Sequence, residues 1–124
     1  MTEPLAFVFY EKLIPGQQLV NRLQDLGYRV QAITDVNVLA KEVQNQKPML
    51  LIAEFHADKP AIAAVISELK KDPTIAHVAI LSYIPESNPA LQETARSAGA
   101  NLIASEAGVL EQLPQLLEQV LLVE

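Results

Sequence analysis

Hydrophobic positions along the chain switch repeatedly between two periods. Leu5-Ala-Phe-Val-Phe-Tyr10 is a continuous apolar run, the pattern of a strand covered on both faces. Pro15-Gly16 separates it from Leu19, Leu23 and Leu26, which recur at helical spacing until Gly27 offers a left-handed stop. Tyr28-Arg-Val-Gln-Ala-Ile33 alternates, as a strand near a sheet edge does. Thr34 or Asp35 then supplies an N-cap for a helix that turns Leu39, Ala40 and Val43 inward. Pro48 ends that helix, and Met49-Leu-Leu-Ile-Ala53 is the most apolar strand candidate. Asp58 and Pro60 make a cap and an early proline for a helix with Ile62, Val65, Ile66 and Leu69 inside, closed by Asp72-Pro73. Val78-Ala-Ile-Leu81 predicts a fourth strand. Asn88-Pro89 opens a helix that buries Leu91, Ala95 and Ala98 and ends at Gly99. Asn101 to Ala104 reads as a short fifth strand, and Leu113, Leu116, Leu117 and Val120 as the face of a last helix. That helix starts between Leu110 and Pro114, because a proline deep inside it would cost about 3 kcal/mol.

Strand and helix thus alternate five times, with no linker, repeat or low-complexity tract between them. Alternation at this spacing implies right-handed crossovers and a parallel sheet with helices on both faces. The expected fold is α/β: a doubly wound, five-stranded parallel sheet in the order 2-1-3-4-5, formed by a single domain over residues 1–124. Ligand sites in such sheets lie beyond the carboxyl ends of the strands, at the crevice between strands 1 and 3. The residues expected there are Tyr10, Glu11, Glu54, Ser82, Tyr83, Ser105 and Glu106.

Composition narrows the chemistry. The chain has 124 residues, half of them apolar, enough to bury a core without staples. It contains no cysteine, which excludes disulfides, thiol catalysis and cysteine-based metal sites. His56 and His77 are too few and too far apart for a metal-ligand motif. The longest apolar runs cover six residues each, far short of a membrane span. The Met-Thr-Glu-Pro start lacks the basic opening and apolar stretch of a signal peptide, so a cytoplasmic location is expected.

Charge is unevenly spread. Residues 1–72 carry eight basic and nine acidic side chains, whereas residues 73–124 carry only Arg96 against six glutamates. Phosphate backbones are held by clustered Lys and Arg, so no nucleic-acid partner is expected, and a charge-driven partner would be basic.

Several motifs resemble the response-regulator receiver family, the CheY-like domains of two-component signalling, which share the flavodoxin-like fold. Lys47-Pro48-Met-Leu-Leu-Ile-Ala-Glu54 is similar to the family stretch that ends in the phosphoacceptor aspartate, with Glu54 in the acceptor's place. Tyr10-Glu11 resembles the acidic pair after the first strand. Val78-Ala-Ile-Leu-Ser82 resembles the fourth strand, with Ser82 at the Thr/Ser position. Gly99-Ala-Asn-Leu-Ile-Ala-Ser-Glu106 resembles the lead into the fifth strand, with Glu106 where the family has lysine and Ile103 where it has the switch aromatic.

Against that resemblance the phosphate chemistry is largely replaced. Glutamate is one methylene longer than aspartate and displaces the attacking oxygen by about 1 Å, which near-attack geometry tolerates poorly. Tyr10 is a neutral phenol in place of a metal-binding acid, so Glu11 and Glu54 alone would bind magnesium weakly. Glu106 inverts the sign of the lysine that offsets phosphoryl charge. Ile103 has no ring to rotate and is expected to pack against the core. Tyr83 is bulky where the family often has a small residue, and is expected to cover part of the pocket. If Glu11, Glu54 and Glu106 converge, like charges would raise at least one pKa; the alternatives are that they splay into water or meet Lys12 or Lys59. A sharper version makes Glu54 a standing negative charge in place of phosphoaspartate.

The reading that follows is a non-enzymatic, phosphorylation-independent receiver-like module. It would need no cofactor and act by protein–protein contact in a two-component-type pathway. The resemblance implies a docking face formed by the fourth helix, fifth strand and fifth helix, roughly residues 89–122, with Arg96, Glu93, Glu111 and Glu118 on it. The apolar Val120-Leu-Leu-Val123 run exceeds what one helix buries and suggests a partner or a homodimer. One alternative is a functional receiver that accepts a phosphoryl group at an atypical site. A second is a small-molecule-binding flavodoxin-like domain, although Glu11-Lys-Leu-Ile-Pro-Gly16 is poor in the Gly, Ser and Thr that cradle phosphate.

Overall fold

The computed structural model describes residues 4–10, 13–55, 61–73, 78–84 and 89–122. In chain order the elements are β1 (Leu5–Phe9), α1 (Leu13–Asp25), β2 (Arg29–Ile33), α2 (Val36–Gln46), β3 (Leu50–Glu54) and α3 (Ala61–Lys71), followed by β4 (Ala79–Ile84), α4 (Pro89–Ala98), β5 (Leu102–Ser105), α5 (Glu106–Glu111) and α6 (Leu113–Leu122). All four strand pairings are parallel and the sheet order is β2-β1-β3-β4-β5, the order expected from the sequence.

Strand alternation builds two apolar layers from the same strands. On one side Phe7, Phe9, Leu51, Ala53, Ile80 and Ile84 pack against the buried faces of α2, α3 and α4. On the other Ala6, Val8, Leu50, Ile52, Leu81 and Tyr83 pack against α1, α5 and α6. β1, β3 and β4 are buried on both faces, which is why their sequences read as unbroken apolar runs. β2 lies at the sheet edge, where Arg29 is exposed and the half-buried Gln31 accepts a hydrogen bond from Gln46.

The helix ends follow their local chemistry. Asp35 caps α2, its carboxylate accepting from the Asn37 amide. Gly27 and Gly99 end α1 and α4 in the left-handed region, with φ of 94° and 118°. The caps expected from Asp58-Pro60 and Asn88 lie outside the described residues, as do His56 and Val123.

Three expectations are corrected. Pro15-Gly16 does not divide strand from helix: α1 begins at Leu13, and Pro15 sits in its first turn, where a missing amide hydrogen is tolerated. Leu26 does not face inward but is 46 % exposed, because α1 ends at Asp25 and Leu26 falls in the turn leading to Gly27. β4 extends beyond Leu81 to Ile84, so Ser82 and Tyr83 lie within the ladder. The last helix begins at Leu113, inside the expected window, and is preceded by a short helix α5 that the hydrophobic spacing does not mark.

At the amino end of the sheet one side chain ties three elements together. Asn101 Oδ1 accepts from the Ile80 amide at 2.9 Å and from Lys70 Nζ at 3.0 Å, and Lys70 Nζ also donates to the Val78 carbonyl at 3.2 Å. Gly99 leaves room for this lysine: a Cβ there would lie 2.7 Å from Lys70 Cγ. Asn101→Ala removes the acceptor for both donors and should cost about 1–3 kcal/mol in urea unfolding, whereas Asn101→Asp should lose less. Burial lowers the Lys70 pKa from its ordinary 10.5. The unfolded chain therefore binds more protons over that interval, and the desolvation penalty is relieved as pH rises through the lowered pKa. Wild type should gain stability relative to Lys70→Met as pH rises through the lowered lysine pKa toward the ordinary 10.5, measured by denaturant titration; burial raises the Tyr28 pKa, but Tyr28 is present in both proteins and cancels.

Candidate functional site

The carboxyl ends of the central strands meet in two successive rows. Ala53, Ser82 and Ile103 are register partners in the first row, and Glu54, Tyr83 and Ala104 in the second. Neighbouring residues of a strand face opposite sides, so the two rows address different layers. Ser82 turns to the α2–α3–α4 side, as Ile80, Ile84 and Ile103 do. Glu54 turns to the α1–α5–α6 side, where Tyr83 and Tyr10 lie.

Glu54 is almost sealed, at 1 % exposure. The Tyr83 hydroxyl, itself fully buried, donates to Glu54 Oε2 at 3.3 Å. A carboxylate held in an apolar layer needs such a donor, because burying an unpartnered charge is far more costly than burying a paired one. Tyr83 therefore fills the α1–α5–α6 layer and also supplies a hydroxyl to Glu54. The register could have shown this, since Tyr83 and Glu54 are partners across β3 and β4.

Tyr10 closes the same side from β1. It is 7 % exposed, packs in the α1–α5–α6 layer, and its amide donates to the Ile33 carbonyl at 3.2 Å. Its ring lies against Gly16 of α1, where a Cβ would come within 2.2 Å of the ring's Cγ.

Ser82 is fully buried, and its Oγ has no hydrogen-bond partner among the described residues. It is thus neither a surface hydroxyl nor a strand-end one, as a lone serine usually is, but lies inside the β4 ladder beside Ile103. Ile103 is half-buried and packs against the α2–α3–α4 layer, as its aliphatic side chain predicts. Ser105 caps α5, its Oγ accepting from the Gly108 amide at 2.9 Å. Glu106 is therefore the first residue of a helix rather than a strand end; the N-cap pattern of a serine followed by Glu-Ala-Gly was the signal. The Glu106 side chain and all of Glu11, Lys12 and Lys59 lie outside the described residues, so a convergence of three carboxylates is not on view. Of the seven expected positions, Tyr10, Glu54 and Tyr83 share one side and Ser82 the other.

No protein-family model matches the sequence, and no curated protein matches it. Solved structures do. The chemotaxis protein CheY4 of Vibrio cholerae is 17 % identical with a TM-score of 0.83, covering 96 % of this chain and 99 % of that one. The fold is that of the CheY-like receiver domain. An orphan response regulator of H. pylori has only 8 % identity yet a TM-score of 0.77, over 94 % of this chain and 96 % of its own. A response regulator of Burkholderia pseudomallei, described with a phosphorylated aspartic acid and a calcium ion, matches at 16 % identity and a TM-score of 0.79, over 95 % of this chain and 66 % of that one.

A divalent cation in a receiver fold would need a shell of hard oxygen donors. The described side-chain oxygens on the Glu54 side of this end are its carboxylate, bonded to the Tyr83 phenol, and the phenol of Tyr10, while Glu11 lies outside the described residues. Among the described residues there is no group of three or more His, Cys, Asp or Glu placed to hold a metal.

Two substitutions test this geometry. Ser82→Ala removes a buried hydroxyl without a partner and should leave the protein as stable or more stable, by up to about 1 kcal/mol in chemical denaturation. Gly16→Ala gains about 1 kcal/mol of helix propensity but loses about 1–3 kcal/mol to overpacking against Tyr10. It should destabilise the wild type, and should stabilise a Tyr10→Ala background.

Proposed function

We propose that this chain is a receiver-fold signalling module of a two-component-type pathway that acts through protein–protein contact and without phosphorylation. The observation that carries the reading is the Tyr83–Glu54 hydrogen bond at 3.3 Å over a carboxylate that is 1 % exposed. Phosphoryl transfer to a side chain requires a donor molecule to approach the nucleophile in line and requires charge compensation at the phosphoryl oxygens. Glu54 is walled off by Tyr83, and the one nearby hydroxyl of the kind the family uses, on Ser82, faces the other layer.

Without an enzymatic step, output is carried by surface. The face formed by α4, β5, α5 and α6 is the docking face of this reading. Its exposed ion pair, Arg96 to Glu93 at 2.8 Å, lies within α4, and Glu111 of α5 and Glu118 of α6 are exposed. That balance favours a basic protein partner over nucleic acid. No helix among the described residues is long and apolar enough to cross a membrane, which suits a cytoplasmic module.

Incubation with acetyl phosphate and magnesium, read by intact-protein mass, tests the proposal. The expected result is an unmodified chain. A stoichiometric phosphoryl adduct mapped to Glu54 would instead establish a working receiver with an atypical acceptor.

A further inference from the structure

Arg22 and Asp25 lie at i and i+3 on the outer side of α1, and Leu26 follows them in the turn beyond the helix. With Leu113 and Pro114 at the start of α6 they line a cleft of about 130 Å³. Its floor is apolar, and its rim holds one cation and one anion. Arg22 and Asp25 are both exposed, and neither forms an ion pair among the described residues. Leu26, at 46 % exposure, is the most exposed of the large hydrophobic side chains described.

We infer that this cleft seats a second copy of the chain across a two-fold axis. A two-fold contact presents the same patch on both sides, so the patch must complement itself. A stripe with both signs and an apolar residue next to them meets that condition: Arg22 of each copy faces Asp25 of the other, and the two Leu26 side chains meet over the cleft floor. A partner of a single charge sign would leave one of the two rim charges opposed. Salt screens the exposed Arg22 and Asp25 charges, so the dimer is salt-sensitive.

Sedimentation velocity on the full 124-residue chain, over about a hundredfold concentration range, provides the test. Wild type should shift toward dimer as concentration rises. Arg22→Glu, Asp25→Lys and Leu26→Glu should each weaken association by about tenfold or more, with far-UV circular dichroism unchanged. The double variant Arg22→Glu/Asp25→Lys exchanges the two signs and should return to within about threefold of wild type. A wild type that stays monomeric, whether the cleft is empty or takes a different partner, overturns the inference. So does association that the single variants leave unchanged, or a double variant no better than the singles.

Discussion

β3 is covered on both faces along its whole length, and that burial continues to its last residue. Leu50 to Ala53 are fully buried, and Glu54, one step further, is still 1 % exposed. In a sheet ordered β2-β1-β3-β4-β5 the central strand has no open side, so whatever ends it inherits a low-dielectric setting. A carboxylate there must be partnered. Tyr83, its register neighbour on β4, supplies the hydroxyl, and Tyr10 fills the same side from β1.

That constraint reshapes the end of the sheet where receiver folds place their chemistry. A long aromatic residue at the position after Ser82 occupies the space above Glu54, and Gly16 on α1 is the accommodation that lets the second ring in. The strand's alternation then sends Ser82 into the opposite layer, next to Ile103 rather than beside the carboxylate. Carboxylate and serine hydroxyl are consecutive in register yet separated by the sheet itself. Among the described residues Glu54, Tyr83 and Tyr10 form a packed junction, and that packing supports the surface role proposed for the chain.

Much of this was legible in the sequence because parallel strands and amphipathic helices leave different periods. The runs Leu5–Tyr10 and Met49–Ala53 and the stripe Leu91, Ala95, Ala98 specify layer and order almost unaided. Where the pattern misled, a polar residue was the cause. Ser82 looked like the end of β4, yet a buried serine can continue a ladder, since its backbone pairs regardless of its side chain. Ser105 and Glu106 looked like a strand terminus, while the serine was the cap of a six-residue helix that hydrophobic spacing alone does not separate from α6. Leu26 looked like a core position because it completes a helical triplet, but the helix stops one residue before it. The bulk of Tyr83 could be read from its side chain; its hydrogen bond to Glu54 required the β3–β4 register, which no single-strand pattern contains.

The coupling between Tyr83 and Glu54 is measured most directly by a double-mutant cycle in equilibrium unfolding, using Tyr83→Phe, Glu54→Gln and the pair together. A direct, buried hydrogen bond predicts a coupling of about 1 kcal/mol or more, with the double variant less destabilised than the two singles combined. Effects that add to within about 0.3 kcal/mol would show that the phenol and the carboxylate do not interact, and would contradict the closed site on which this account rests.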